Sequence, residues 1–304
     1  FSDSDDNRES GRTHLYEEFL KKLNGKYETS SSDDRDVFLG IRVMTVNLGA
    51  REVLMLTQKR YIEDVWEKIM PGPCVDTWRP SPGGKVTKRD CPDVPPGENK
   101  LQSKFAEMIG ILRWIERISR PDITETLSEL GKVQCNPGQV HMDRLKHLFR
   151  YVITTRDRGI AFGQPMKGDA SGLVVGYVDS NWAGDIDEYT SRGGYVFTCN
   201  QSPIVWSSFR LKSRALSSCE AEYMACSMAT QEALWLKHLN SDLGYEDVII
   251  KQFGDTCDAD YIKFKLSDFV DPNEKPVTIF NDNQGAVAMS KNPVHSKRQK
   301  RVHL

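Results

Sequence analysis

Three acidic side chains border apolar stretches in the second half of the 304-residue chain. Asp179 follows the hydrophobic run of VVGYVDSNWAGD, Asp282 closes VTIFND, and Glu220 opens the segment SSCEAEYMACSMATQEALWLKHL. An unpaired carboxylate in a low-dielectric layer costs several kcal/mol, so three at the ends of buried elements call for a shared cation. Converging like charges raise one another's pKa until a divalent ion neutralises them. Carboxylate oxygens with no His or Cys beside them select Mg2+, or Mn2+ in its place. Two such ions about 4 Å apart activate a water and stabilise the leaving oxygen of a phosphodiester. Each Asp alone reads as a turn or cap; the three in this order point to metal-assisted hydrolysis.

The elements around them give that convergence a frame. GLVVGYVDSNWAG, GGYVFTC and SPIVWSSF read as successive strands parted by Gly-, Asp- and Ser-rich turns. A long helix follows, then a loop-like insert over about 244–275, the strand PVTIFND and the short helix NQGAVAMSKN. The order β-β-β-α-β-α, with the late strand returning beside the first, is an α/β sheet with helices on its faces. Adjacent first and late strands bring Asp179 near Asp282, with Glu220 in reach of both. Ser217 and Ser218 suit an N-cap, and the helix dipole stabilises an acidic group in the first turn. That accounts for one of Glu220 and Glu222.

The first half has a different texture. HLYEEFLKKLNGKYE has helical spacing and an Asn-Gly stop, and DVFLGIRVMTV and EVLMLTQ form a hairpin through NLGAR. QKRYIEDVWEKIM is helical up to Pro71. Residues 71–99, rich in Pro and Gly, read as an extended arm or linker. KFAEMIGILRWIERIS, PDITETLSELGKV and HMDRLKHLFRYVITT are three further helices. With 38% hydrophobic and 28% charged residues the composition is that of a soluble globular chain of two domains, and no apolar run is long enough for a membrane span. Seven cysteines without a C-x-x-C pair argue for a reducing compartment and against a zinc site. Net charge is −2, so basic character is local, in FRLKSR and KNPVHSKRQKRVHL. The acidic, polar start is not expected to act as a signal peptide, and Phe1 in place of Met points to a piece of something longer.

GYVDSNWAGD, GGYVFT, IVWSSFRLKSRALSSCEAEYMA, EALWLKHL and IFNDNQGAVAMSKNPVHSKRQK, in that order, resemble the ribonuclease H domain of copia-type retrotransposon Pol polyproteins. FLGIRV, LTQKRYIEDV, MIGILRWIERISRPDI and HMDRLKHLFRYVITTRDRGI look like the C-terminal part of the reverse transcriptase of the same polyproteins. The resemblance covers nearly the whole chain. It implies a ribonuclease H-like mixed α/β sheet with flanking helices over 166–304, C-terminally truncated. Before it, over 1–165, it implies an α+β palm remnant, thumb and connection.

By motif position it implies that Asp179, Glu220 and Asp282 are the catalytic, metal-binding carboxylates, with two Mg2+ ions (or Mn2+) as cofactor. Glu222 is then a cap or surface partner. The implied substrate is the RNA strand of an RNA–DNA hybrid, and the implied partner is the remainder of the Pol polyprotein. The implied setting is intracellular, in a cytoplasmic particle or the nucleus, neither secreted nor membrane-bound. Arg144, Lys146, Arg150, Lys212, Arg214, Lys297, Arg298 and Lys300 offer charge for phosphates.

The pattern also departs from the family. Asn181 replaces the second acid of DSDWAGD, Cys219 replaces the threonine before Glu220, Arg192 is inserted in SRGGY, and His303 takes the fourth carboxylate position. Asp5-Asp6 stand where a polymerase's paired aspartates would be, but in a polar setting, with fingers and most of the palm absent. Reverse transcription by this chain is not expected. Two functional readings stand: a hybrid-cleaving nuclease, and a decayed or domesticated fragment that binds nucleic acid without cleaving. A structural connection module inside a polymerase particle is a third.

Overall fold

A computed structural model describes residues 21–23, 25–26, 37–48, 51–95, 97–163, 174–242 and 278–291. The Asp5-Asp6 pair, most of the helix expected over 14–28, the insert expected over 244–275, and Lys297, Arg298, Lys300 and His303 lie outside them. The chain divides into two compact units, Phe1–Phe38 and Leu39–Leu304. In the first, Lys21–Leu23 is helical and Gly25 N–H donates to the Lys21 carbonyl at 3.1 Å, a turn where the Asn-Gly stop was expected. Strand β1, Val37–Phe38, ends this unit.

In the second unit β2 (Ile41–Leu48) and β3 (Arg51–Thr57) pair antiparallel from Arg42 with Thr57 to Leu48 with Arg51, and β4 (Ile160–Phe162) adds to the far side of β3. Helix α1 (Lys59–Ile69) buries Ile62, Val65, Trp66 and Ile69, the spacing of a single helix face. α2 (Gln102–Ser119), α3 (Thr124–Gly131) and α4 (Gln139–Thr154) complete a helical core around Phe105, Met108, Leu112, Ile115, Leu127, Leu145 and Leu148.

The Arg120-Pro121-Asp122 step between α2 and α3 is a buried knot. Arg120, 1% exposed, donates from Nε and Nη2 to the Asp122 carboxylate at 2.9 and 2.8 Å and from Nη1 to the Thr155 carbonyl at 3.1 Å. The fixed φ of Pro121 opens the short 3-10 turn Pro121–Ile123 that follows α2.

Residues 71–99 depart from the free arm expected of them. Prolines and glycines do keep them irregular, apart from one 3-10 turn at Lys88–Asp90. The segment is nonetheless strapped to the helical core. Val86 is buried within it, and Thr77 N–H donates to Thr154 Oγ1 at 3.1 Å. The ring of His141 sits 2.9 Å from the Thr87 carbonyl through Nε2.

The second sheet runs β7-β6-β5-β8, from β5 (Val174–Asn181), β6 (Arg192–Cys199), β7 (Ser202–Arg210) and β8 (Thr278–Phe280). β5–β6 and β6–β7 are antiparallel, and β5–β8 is parallel. The late strand therefore lies beside the first, as the element order required. Helix α5 (Ser218–Asp242) covers the sheet through Ala225, Cys226, Ala229, Ala233 and Leu236, joined by Val287 from α6 (Gln284–Lys291). Gly176 is needed where it stands, because a Cβ there would fall 2.4 Å from the Phe197 ring. The second unit is thus mixed α/β with two sheets.

Ion pairs join the helical core to the second sheet. Arg192, 8% exposed, sets Nε 3.0 Å from Glu129 Oε1 and donates to Ser128 Oγ at 2.7 Å. Lys132 lies 3.6 Å from Asp185 and 3.3 Å from Asp187. The inserted arginine is therefore a structural tie. Among the described residues no helix is long and apolar enough to cross a membrane.

Candidate metal centre

Asp179 and Asp282 reach one end of the second sheet by the same route. The β5–β8 register sets Tyr177 opposite Phe280, and each acid comes two residues later on its own parallel chain. Both chains leave the same end of the sheet there, Asp179 still within β5 and Asp282 just past the end of β8. Asn283 caps α6, its Oδ1 accepting from Ala286 N–H at 3.0 Å, which turns the chain just after Asp282.

The third acid is Glu222. Carboxylate oxygens of Asp179, Glu222 and Asp282 all lie within 4.8 Å of one another, with Glu222 buried and both aspartates exposed. Glu220, expected in this role, is not part of that group. Its Oε2 accepts from Leu216 N–H at 2.7 Å, and its own N–H donates to Ser217 Oγ at 3.1 Å. Ser217 and Glu220 therefore act as a capping pair, which ties Glu220 to the chain leading into the helix. Glu222 is rotated about 200° from Glu220 at 100° per residue and lies in line with Ala225, Cys226, Ala229, Ala233 and Leu236 on the face toward the sheet. The place in this cluster expected of Glu220 is taken by Glu222.

Two residues hold the Glu222 carboxylate, and the sequence reading named neither for it. Ser180 donates to Oε1 from its backbone N–H at 2.9 Å and from its hydroxyl at 2.6 Å. Asn281, 3% exposed, donates from Nδ2 to Oε2 at 2.8 Å. Ser180 N–H also lies 2.8 Å from Asp179 Oδ1, so one amide serves both acids. Burial pushes the Glu222 pKa above the ordinary carboxylate range. The Ser180 and Asn281 bonds pull against it, and the Asp179 charge adds to it.

The donor set suits a hard cation. The nearby Cys226 thiol is pushed up to about 12 by burial, then by the Glu222 charge, so it stays protonated and does not compete as a thiolate ligand. Three carboxylates of which one is buried, without a cation salt-bridged to any of them among the described residues, are what a divalent ion would neutralise.

The basic residues fall in two places. Lys212 and Arg214 are exposed in the segment before α5, which Trp182 pins to the end of β5 by donating from Nε1 to the Ala215 carbonyl at 3.0 Å. Arg144, Lys146 and Arg150 lie partly buried on α4, and Arg144 Nη1 donates to the Gly84 carbonyl at 3.2 Å.

Comparison with known proteins places this geometry in a wider setting. The chain is 28% identical over 292 residues, 94% of its length, to the retrovirus-related Pol polyprotein from transposon TNT 1-94 of Nicotiana tabacum. It is 28% identical over 294 residues to the corresponding polyprotein from transposon RE1 of Arabidopsis thaliana. The alignments cover 19% and 17% of those two proteins, so the chain spans about a fifth of the length of the curated relatives it matches. It is also 35% identical over 132 residues, 43% of this chain and 90% of the relative, to the secreted RxLR effector protein 161 of Plasmopara viticola. No family model matches the chain, and no solved structure matches it. Similarity that runs along nearly the whole chain, at the same level in two separate transposons, makes this stretch similar to part of a retrovirus-related Pol polyprotein and consistent with a fragment of the copia type.

Proposed function

We propose that the chain carries a ribonuclease H activity that hydrolyses the RNA strand of an RNA–DNA hybrid at Asp179, Glu222 and Asp282. One observation carries the reading: the oxygens of these three residues converge within 4.8 Å at the ends of two parallel strands and a helix. Asp179, Glu222 and Asp282 would hold two Mg2+ ions, or Mn2+. Such ions, when bound, lower the pKa of water and stabilise charge on the leaving oxygen. The chain's own residues supply position. Ser180 and Asn281 fix the rotamer of Glu222 and favour its ionised form, while the two aspartates stay open to solvent where a strand can approach. Trp182 keeps Lys212 and Arg214 beside the end of β5, where they can meet phosphates of that strand. The remainder of the Pol polyprotein is the natural partner, because relatives extend well beyond this stretch.

The test is cleavage of a labelled RNA–DNA hybrid by the 304-residue chain with and without Mg2+. Metal-dependent cleavage that disappears in Asp282→Asn, with hybrid binding retained, is the expected result. Binding without cleavage in the unaltered chain would leave the binding-only fragment as the correct reading.

A further inference from the structure

The stretch SPGGK, Ser81–Lys85, is a glycine turn followed by a lysine that the site above does not use. Gly83 and Gly84 have φ of +95° and +70°, the left-handed region that favours glycine. A Cβ on Gly84 would also fall 3.0 Å from Arg144 Nη2. The turn thus lets the Arg144 guanidinium lie against the backbone, donating from Nη1 to the Gly84 carbonyl at 3.2 Å. The next residue, Lys85, donates from Nζ to the Gly184 carbonyl at 2.6 Å, across to the loop that follows β5.

Lys85, Arg144 and Arg192 border a cavity of about 150 Å³, with Glu125, Glu129 and Asn181 also on its wall. At about 30 Å³ per liquid water, this is room for about five waters, enough for a phosphate group. Three cations face two carboxylates there, and Glu129 is already engaged by Arg192 at 3.0 Å and Lys132 at 3.8 Å. Lys85 and Arg144 each spend one N–H on a carbonyl in the bonds above. An ammonium has three donors and a guanidinium five, so most of theirs remain for an oxyanion. Asn181, on the same wall, follows Asp179 by two residues on β5, about 7 Å along the strand.

The geometry points to a phosphate-group site at the Ser81–Lys85 turn, formed by Lys85 and Arg144, that grips one backbone phosphate of the nucleic-acid strand presented to Asp179. The identity of that strand rests on the hybrid-cleavage reading; the site itself rests on the turn and its two cations. It gives the segment 71–99 a task and fixes the register between a gripped phosphate and the acid cluster.

The experiment is hybrid binding by fluorescence anisotropy in EDTA, over a salt series, for the full chain, Arg144→Gln, Arg144→Lys and Lys85→Gln. One lost phosphate contact lowers the log–log salt slope by about 0.9, which at 0.1 M salt is about eightfold in Kd. That loss is expected for Arg144→Gln, with most of it restored in Arg144→Lys, whose point charge still reaches a phosphate. Inorganic phosphate at matched ionic strength should raise Kd for the unaltered chain and not for Arg144→Gln. A Kd within twofold and an unchanged slope in Arg144→Gln and Lys85→Gln overturn the proposal. So does inorganic phosphate that raises the unfolding midpoint through Arg144 while hybrid affinity ignores the substitution, since the site then takes the free ion. Because binding is read without metal, an inactive acid cluster with these binding differences intact overturns the hybrid-cleavage reading alone.

Discussion

The two hydrophobic cores of the second unit are packed by opposite means. In the helical core the fully buried side chains are large: Phe105, Met108, Leu112, Ile115, Leu127 and Leu130. Between α5 and the second sheet the helix contributes small ones, Ala221, Ala225, Ala229 and Ala233, all at 0% exposure, against Phe197 and Ile279 from the strands. A buried large aliphatic or aromatic side chain contributes about 1.5–3 kcal/mol, which alanine forgoes. Alanine gives proximity instead. Gly193 and Ala225 meet so closely that a Cβ on the glycine would lie 3.1 Å from that of the alanine. At this separation Glu222 on the helix reaches both Ser180 on β5 and Asn281 after β8. The first core stabilises the fold, and the second gives up apolar area to bring a charge to the sheet.

The sharpest way to break that contrast is Glu222→Gln, which keeps the shape of the side chain and removes its charge. Hybrid cleavage should fall on the order of 10²–10³-fold, the scale for one lost preorganised charged group, with hybrid binding and the unfolding midpoint nearly unchanged. Equal turnover in the variant would sink the role given to Glu222. Next in size is Ala229→Leu, which overpacks the alanine face at a cost of about 1–3 kcal/mol. Turnover per folded molecule should drop with it. Leu112→Ala, a cavity in the other core costing about 2–5 kcal/mol, should lower the midpoint and leave turnover per folded molecule intact. If both variants lose activity only in step with their folded fraction, proximity has no special place in the second core.

Glu220→Gln should cost about 0.5–1 kcal/mol of helix capping and change cleavage by less than about twofold. A loss as deep as that of Glu222→Gln would return Glu220 to the catalytic role.

The smallest expected effect is a pH dependence confined to the helical core. His141 is fully buried at the start of α4, its Nδ1 accepting from Gly138 N–H at 3.0 Å. Burial holds its pKa below the ordinary value, against the pull of the Thr87 carbonyl. The unfolded chain therefore takes the proton first. The stability from neutral His141 is present above about pH 6.5 and is lost as pH falls through the depressed folded value. The unfolding midpoint should decline on acidification below about pH 6.5, and decline less in His141→Gln. An identical profile in the variant would place the acid sensitivity elsewhere.

Much of the fold is legible in the sequence. Apolar spacing marked α1 and α2 because each buries one face, and alternation with turn residues marked the hairpin and the strands β5 to β7. Asp179 and Asp282 were readable because acids that end buried strands on neighbouring chains have few places to go. The third acid of the cluster was expected at Glu220 and lies at Glu222. The helix dipole favours any acid in the first turn and cannot choose between Glu220 and Glu222. The choice lay in two local signals, Ser217-x-x-Glu220 as a capping pair and the alanine face in phase with Glu222. The docking of 71–99 was beyond reach, since proline and glycine report that a segment lacks regular hydrogen bonding and say nothing of what it leans on. The pairing of Arg192 with Glu129 is likewise a contact between residues 63 apart in sequence.

The parallel β5–β8 pair also sets a clock. Asp282 follows Asp179 by 103 residues, so at 5–20 residues per second the ribosome makes the second aspartate roughly 5 to 20 seconds after the first. During that interval β5, β6, β7 and α5 can assemble around Asp179 and Glu222, but the neighbouring strand and its carboxylate do not yet exist. A nascent chain thus lacks the complete acid cluster until translation has passed residue 282.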